Sequence, residues 1–315
     1  MRTLRRLFVF LVVLGLLYGV WWFVAEQHRR ETAQTRYETY GRELGSPMEG
    51  EHFSASDLAP GNDTARPNKT ELLFLLAGVD DDGASGTRTD TLMLVKLNWR
   101  DGSLQLLSIP RDSYVYVQDS PDKINHAHAY GGMELTLKTV RETLGIDVDY
   151  FVKMDMDAVM EVIDIIGGVE VTVEEPQASD LGLQEGPQTL DGYQALQYLQ
   201  YRKGFSDGDL GRVSSQQGFL KTVIPQILSP KNLVHFPTLL TTSQKYMDTN
   251  IGPLTMASMV PSLFTIRGEG MTTATLPGEA GELDGISYYF LWPNTLQELV
   301  DTYLSAYREH EVIVP

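Results

Sequence analysis

The sequence contains no cysteine among its 315 residues. Thiol nucleophiles, thiolate metal ligands and disulfide bonds are therefore excluded, and an oxidising compartment would do the chain no chemical harm. Basic side chains are also scarce: 25 lysines and arginines face 42 aspartates and glutamates, which leaves a formal net charge of −17. This balance argues against nucleic acid as the main partner. Anionic ligands stay open where local arginines and a divalent cation offset the field.

Apolar residues are plentiful, and one long run of them stands near the N-terminus. Residues 7–25 are 19 consecutive uncharged residues, long enough at about 1.5 Å per residue to cross most or all of a hydrocarbon core of about 30 Å. Three arginines precede the run, and Trp21 and Trp22 lie near its far end, so the positive-inside rule leaves residues 1–6 in the cytoplasm. A cleaved signal peptide is the alternative, but the run exceeds the usual apolar region of such peptides. We expect an uncleaved single-pass anchor in the cell membrane, with the rest of the chain extracytoplasmic.

The remaining residues divide into a polar segment and one domain. Residues 26–69 end in a stretch of glycine, proline, serine and aspartate without apolar period, which predicts a stalk or linker. Residues 70–315 alternate short apolar runs with helical patterns, which indicates a layered α/β or α+β domain with helices covering a mixed sheet. Strands are predicted over residues 71–79, 91–98, 103–109 and 169–173, and helices over residues 133–144, 155–166, 189–200, 209–228, 253–264 and 294–308.

Carboxylates, glycines and an arginine are concentrated between the first two predicted strands. Asp80 closes the first strand and Asp90 opens the second. If these strands are neighbours, the two carboxylates lie at metal-bridging distance, and such hard oxygen ligands suit Mg²⁺ or Mn²⁺ bound together with substrate phosphates. On these residues alone, an acidic surface turn with ordinary capping is the simpler interpretation.

Basic side chains follow in two further places. Arg111 comes directly after the third predicted strand, where a planar guanidinium can hold a phosphate by two parallel hydrogen bonds; the alternative is a surface pair with the aspartate beside it. Lys123 precedes a glycine pair that leads into a helix, a position that suits an anion. Arg202, Lys203 and Arg212 lie around the end of one predicted helix and the start of the next, where cations are also expected from the helix dipole alone.

Taken in order, these segments resemble the LytR-CpsA-Psr family of membrane-anchored cell-wall enzymes over residues 72–217, with a weaker likeness at residues 275–279 and 285–289. The resemblance implies an α-β-α sandwich with a central mixed sheet. It also implies a Mg²⁺-dependent phosphotransferase that moves an anionic glycopolymer, such as a teichoic acid or capsular polysaccharide, from a polyprenyl-pyrophosphate carrier to peptidoglycan. The expected partners are this lipid-linked polymer, peptidoglycan and membrane lipid, without nucleic acid.

The same resemblance assigns roles to individual residues. It implies a catalytic set consisting of Asp80, Asp90, Arg88 and Arg111. The two aspartates would hold Mg²⁺, with Mn²⁺ as a substitute, and one of them would act as a base. The pyrophosphate-binding set that the resemblance implies is Arg88, Arg111, Lys123, Arg202, Arg212 and Gln216.

Two positions depart from the family pattern. Gln200 and Ser215 stand where the pattern has arginines. Each charge-assisted hydrogen bond contributes roughly 1.5–3 kcal/mol, so the loss of two cations weakens the expected pyrophosphate binding unless Lys203 or another residue substitutes. Two alternative functions therefore stay open: a non-catalytic envelope protein that binds the polyprenyl-pyrophosphate carrier, and a pyrophosphatase that releases polyprenyl phosphate to water.

Overall fold

The structure, a computed structural model, describes residues 71–79, 89–98, 100–201, 209–235, 245–252 and 270–315, together with residues 238, 239, 242 and 255. The predicted anchor at residues 7–25 and the stalk at residues 26–69 lie outside the described residues. Of the helices that the structure describes, none combines the length and the hydropathy that a membrane crossing requires.

Strands and helices alternate along the described chain. In chain order the strands are β1 (Glu71–Val79), β2 (Thr89–Asn98), β3 (Ser103–Ile109), β4 (Tyr114–Val117), β5 (Ser120–Lys123), β6 (Tyr150–Asp155), β7 (Val169–Val173), β8 (Gly186–Leu190), β9 (Met247–Thr249), β10 (Met271–Thr275), β11 (Gly278–Leu283) and β12 (Ile286–Leu291). The α-helices are α1 (Ile124–Leu144), α2 (Met156–Ile165), α3 (Gln177–Leu181), α4 (Gly192–Gln200), α5 (Asp209–Ile227) and α6 (Pro293–Tyr303). Short 3₁₀ turns cover Pro230–His235 and Ser305–Tyr307.

A six-stranded sheet in the order β10-β3-β2-β1-β6-β9 forms the centre of the fold. β1 pairs antiparallel with β2 and parallel with β6, while β3 pairs antiparallel with β2 and parallel with β10. The sheet is therefore mixed, as the sequence predicts. Because β1, β3, β6 and β10 run in the same direction, their carboxyl ends meet at one edge, the place where α/β proteins bind ligands.

Helices cover both faces of this sheet. Leu92 and Leu94 of β2 point into a core with α1 and α6, whereas Met93 and Val95 point into a second core that Leu220 of α5 joins. This alternation is the two-residue period of a strand buried on both faces. The layers follow the order helix, sheet, helix, so the α/β class is confirmed.

A third core lies beneath the hairpin of β7 and β8. These two strands pair with each other antiparallel and not with the central sheet. Val171 of β7, Ala195 of α4 and Phe219 of α5 are buried together there. The hairpin therefore sits on α4 and α5, and α5 also contacts β3 and β10 of the central sheet.

One predicted helix start agrees with the structure and one is wrong. Gly131 and Gly132 leave helical geometry and kink α1, so the helix predicted over residues 133–144 follows this break, and a further helical segment from Ile124 precedes it. α4 begins at Gly192 and not at residue 189, because residues 189 and 190 pair with β7 and the side chain of Asp191 then caps the helix. At α4, strand pairing and the cap at Asp191 override the apolar period.

The other predicted elements compare well with the structure. The predicted strands coincide with β1, β3 and β7, and β2 begins two residues earlier than expected. Gly167 and Gly168, with φ of 82° and 97°, end α2 as the sequence indicates. The helix predicted over residues 294–308 ends at Tyr303 and continues as a 3₁₀ turn, and the one predicted over residues 253–264 lies outside the described residues except residue 255.

Candidate functional site

Asp90 and Arg111 meet at the edge of the sheet where β1, β3, β6 and β10 end. Leu92 of β2 pairs with Ile109 of β3, so the start of β2 lies beside the segment that follows β3. Nη1 of Arg111 donates a hydrogen bond to Oδ1 of Asp90 at 2.5 Å. Each side chain is about a quarter exposed, at 22% and 27%, which leaves the pair open to a ligand from one side.

Asp112 extends this pair to a second cation. Its Oδ2 lies 3.5 Å from Nε of Arg111, and its Oδ1 lies 2.9 Å from Nζ of Lys123. The same Nζ lies 5.5 Å from the centre of the Tyr288 ring. Opposite charges alternate along a row of four partly buried side chains, where salt screens them less than it does on an open surface. The row brings two of the predicted pyrophosphate-binding cations together.

Backbone hydrogen bonds fix the segment that carries Arg111 and Asp112. The N–H of Asn125 on α1 donates to the carbonyl of Arg111 at 3.2 Å, and the N–H of Tyr289 on β12 donates to the carbonyl of Asp112 at 2.8 Å. The hydroxyl of Tyr289 donates to the carbonyl of Leu276 at 2.9 Å, and burial raises its pKa to about 12. The charged side chains thus extend from a backbone held on both sides.

Asp122 stabilises the first turn of α1 beside Lys123. It accepts hydrogen bonds from Nδ1 of His126 at 2.9 Å, from the Tyr130 hydroxyl at 2.8 Å and from the Lys123 N–H at 2.7 Å. Burial acts to raise the pKa of this carboxyl, but the three hydrogen bonds outweigh burial and hold the pKa below its usual value. Asp122 is therefore ionised at neutral pH and positions the backbone of Lys123.

Gln217 connects α5 to the same edge of the sheet. Its Nε2 lies 2.8 Å from Oγ of Ser108, 2.8 Å from the carbonyl of Ala274 and 3.1 Å from Oγ1 of Thr275. These acceptors lie at the carboxyl ends of β3 and β10. Ser108 is three residues before Arg111 in the sequence. The contact fixes the distance between α5 and the sheet edge.

The remaining predicted site residues are placed as follows. Gln216 is buried, and its Nε2 donates to the carbonyl of Leu199 at 3.3 Å. Ser215 stands where the family pattern has an arginine, and its hydroxyl accepts a hydrogen bond from Nε2 of Gln177 at 3.1 Å. Three predicted residues fall outside the described part of the chain: Asp80, Arg88 and Arg202. For Arg212 the backbone is described and the side chain is not.

The donor atoms around Asp90 suit a hard cation in type. Its carboxylate is the kind of ligand that Mg²⁺ prefers, and the buried Oγ1 of neighbouring Thr89 has no hydrogen-bond partner among the described residues. Within the described ranges, no group of three or more histidine, aspartate or glutamate residues stands close enough to hold a metal ion. A magnesium site at Asp90 therefore needs further oxygen ligands.

Sequence reasoning missed two residues that shape the site, Asp122 and Gln217. Asp122 precedes the predicted Lys123, and Gln217 follows the predicted Gln216. The sequence did hold a signal for both residues, because each is a polar side chain directly beside a residue of the predicted pyrophosphate-binding set. Successive residues point in different directions from a helix or strand, so only the structure shows which of the two neighbours faces the site.

Comparison with known proteins supports the resemblance. A model of the LytR_cpsA_psr family matches residues 28–303. A relative in Bacillus mycoides (strain KBAB4), named polyisoprenyl-teichoic acid--peptidoglycan teichoic acid transferase TagU, is 32% identical over 254 residues, which cover 79% of this chain and 83% of the relative. The TagT transferase of Bacillus subtilis (strain 168), whose name is otherwise the same, is 32% identical over 248 residues, covering 74% and 76%.

A solved structure agrees with these matches. It is described as TagT bound to LIIa-WTA and aligns with a TM-score of 0.64 at 32% identity, covering 76% of this chain and 91% of that one. The mixed α/β fold with its central mixed sheet is therefore shared with TagT in its LIIa-WTA-bound structure.

Proposed function

This chain belongs to the LytR-CpsA-Psr family, and we propose that it transfers an anionic glycopolymer from a polyprenyl-pyrophosphate carrier to peptidoglycan. Relatives at 32% identity over most of the chain are named teichoic acid transferases that act on peptidoglycan. The observation in this chain that carries the proposal is the contact between Asp90 and Arg111, with Asp112 and Lys123 beside it. Paired cations at the carboxyl edge of a sheet suit a pyrophosphate.

The reaction is a phosphoryl transfer. An acceptor hydroxyl of peptidoglycan attacks the phosphorus that bears the glycopolymer, a new P–O bond forms, and the P–O bond to the polyprenyl phosphate breaks. The hydroxyl proton passes to a carboxylate, and polyprenyl phosphate leaves. Such transfers depend mainly on positioning and on neutralising charge.

Arg111 and Lys123 supply that neutralisation among the described residues. Asp90 holds the guanidinium of Arg111 in one orientation, and Asp112 lies between the two cations. Preorganised donors need no reorientation when charge develops on the leaving phosphate, which is why they favour the transition state. In our proposal Arg88, Arg202 and Arg212 complete the contacts to pyrophosphate, whereas the buried amide of Gln216 holds α5 against α4.

We further propose Mg²⁺, with Mn²⁺ as a substitute, as the cofactor. Asp80 and Asp90 would hold it. The buried Oγ1 of Thr89, next to Asp90, has no hydrogen-bond partner among the described residues, which supports this assignment. When bound, the cation would offset charge on the pyrophosphate oxygens. Either aspartate is suited to accept the proton of the attacking hydroxyl.

The substrate suggests where the protein acts. A polyprenyl carrier stays in a membrane, so the proposed anchor at residues 7–25 would keep the domain at residues 70–315 beside it, on the extracytoplasmic side with peptidoglycan. Cleavage of a fusion at the predicted stalk by an external protease in intact cells tests this topology.

Product analysis tests the function itself. The full chain in detergent micelles is incubated in ¹⁸O water with a polyprenyl-pyrophosphate saccharide and a peptidoglycan oligomer. We expect saccharide phosphate linked to the oligomer without ¹⁸O. Incorporation of ¹⁸O into released saccharide phosphate would instead show a pyrophosphatase, and tight binding without any product would show a carrier-binding protein.

A further inference from the structure

A cleft of 660 Å³ lies between α5 and the hairpin of β7 and β8. One wall carries Thr172 of β7 and Glu174, which follows that strand, and the opposite wall carries Gly218 and Thr222 of α5. A Cβ at Gly218 would meet no atom within 4 Å, so the helix leaves room there. The described lining includes none of the four charged side chains that meet around Arg111, but it does include Ser215 of α5.

The edge of β7 that faces α5 offers backbone hydrogen bonds to this cleft. The N–H of Glu170 donates to Oε1 of Gln226 at 2.8 Å, and Nε2 of Gln226 donates to the Glu170 carbonyl at 2.7 Å. Glu170 therefore directs its backbone away from β8. In an antiparallel pair this direction repeats every second residue, so the N–H and C=O of Thr172 also point towards α5.

The residue opposite Thr172 agrees with this geometry. It is Pro187, which has no N–H to donate across the pair. Of the hydrogen bonds between described elements, none involves the backbone of Thr172. Gln226 thus covers the edge of β7 at one residue, and the next outward-facing residue is left open within the cleft.

The charge and surface of the cleft restrict what binds there. Glu170 and Glu174 are exposed along it, and no lysine or arginine is among its described lining residues. Below them lie the rings of Tyr198 and Phe219, whose centres are 5.6 Å apart. Two carboxylates disfavour a polymer rich in phosphate and favour a ligand with an amine, while the rings offer an apolar surface.

We propose that the open edge of β7 binds a short extended peptide that carries an amine, and that this peptide is a stem of the peptidoglycan acceptor. An added strand pairs its own backbone with Thr172, as in other complexes that extend a sheet. Its amine pairs with Glu170 or Glu174, and an apolar side chain lies against Tyr198. The identity of the peptide rests on the function proposed above, because peptidoglycan carries short peptides with diamino acids.

Binding to two matched ligands tests this site. The full chain is titrated with a peptidoglycan oligomer that keeps its peptides and with the same glycan after an amidase has removed them. We expect the peptide-bearing oligomer to bind about tenfold more tightly, and acetylation of its amines to remove most of that difference. Equal dissociation constants for both oligomers would overturn the proposal, as would tighter binding of the stripped glycan.

Two variants locate the contact. Thr172→Pro removes the edge N–H without touching the β7–β8 ladder, because that N–H points away from β8. We expect it to weaken binding of the peptide-bearing oligomer about threefold to tenfold and to leave the stripped glycan unaffected. The double variant Glu170→Gln with Glu174→Gln gives the same result without a backbone change, and Glu282→Gln, exposed on β11, is the matched control. Unchanged binding in both variants would contradict the proposal.

Transfer assays separate this site from the proposed function. If the chain links saccharide phosphate equally well to both oligomers, the peptide site is wrong and the transferase stands. If it links nothing to either oligomer but still prefers the peptide-bearing one in titrations, the transferase is wrong and the peptide site stands. Thermal unfolding of each variant shows whether it folds as the parent does.

Discussion

The carboxylate of Asp90 and the guanidinium of Arg111 lie 2.5 Å apart although 21 positions separate them in the chain. β2 and β3 are antiparallel neighbours, so the beginning of one and the end of the other share an edge. Asp112 and Lys123 extend the contact into a row of alternating charges. The row places Arg111 and Lys123 at one edge of the sheet in a chain with a net charge of −17, and in our proposal these are the cations that meet the pyrophosphate.

Arg111→Lys should reduce transfer strongly although it keeps the charge. An ammonium cannot form the two parallel hydrogen bonds of a guanidinium, so we expect kcat/KM to fall by about 10²-fold, close to the loss in Arg111→Ala. Steady-state kinetics with the lipid-linked donor measure this. A lysine variant within threefold of the parent would show that only charge matters at this position.

Lys123→Met should weaken donor binding more than it slows the chemical step. The ammonium of Lys123 lies at the end of the charge row, 2.9 Å from Asp112, and the variant removes one of the two cations beside that carboxylate. We expect the dissociation constant of the donor to rise about tenfold. Lys138→Met on the same helix is the control, because Lys138 is 36% exposed and lies 3.6 Å from Glu142, outside the charge row. Equal effects of the two variants would refute a local role.

Gln217→Leu should destabilise the fold. The change leaves Ser108, Ala274 and Thr275 without the amide donor that they share, and we expect the free energy of unfolding to fall by about 1–3 kcal/mol. Denaturant unfolding measures it. Gln197→Leu, on the exposed side of α4 with one long contact to Tyr193 at 3.2 Å, should change it by less than about 0.5 kcal/mol. If the two variants are equally stable, the bridge contributes nothing.

The buried hydroxyl of Tyr289 should make stability depend on alkaline pH. Its pKa in the folded protein is about 12, above the ordinary value of about 10, so the unfolded chain loses this proton first. The contribution of the protonated Tyr289 hydroxyl to the free energy of unfolding is complete below about pH 10. It is lost as the pH rises towards 12. Tyr289→Phe should reduce the fall in the free energy of unfolding over that pH interval. Tyr193 is exposed, so Tyr193→Phe should leave this fall unchanged.

Local patterns predicted the strands that form the site. β1 is an almost continuous apolar run, and β3 is an apolar run interrupted by Gln105 and Ser108. Short apolar runs between turn residues indicate strands buried on both faces. Because short connections join β1 to β2 and β2 to β3, each strand is expected to lie beside the next one in the sheet. The meeting of Asp90 with the segment after β3 therefore follows from chain order.

Contacts between distant segments did not follow from any local pattern. The N–H of Tyr289 reaches Asp112 across 177 positions, and Gln217 reaches Ser108 across 109. Tyr289 lies in the hairpin of β11 and β12, which pair with each other and do not pair with the central sheet. No periodicity indicates where such a hairpin docks, and sequence offered only a weak likeness at residues 285–289.

Transfer by the full chain, with Asp90→Asn beside it, tests the central claim most directly. The parent and the variant are incubated with lipid-linked donor and peptidoglycan oligomer over a series of Mg²⁺ concentrations, with Asp284→Asn at an exposed turn as the control. We predict Mg²⁺-dependent linkage to the oligomer that falls by about 10²–10³-fold in Asp90→Asn alone. Linkage by Asp90→Asn within threefold of the parent would contradict the account, as would the absence of any linked product.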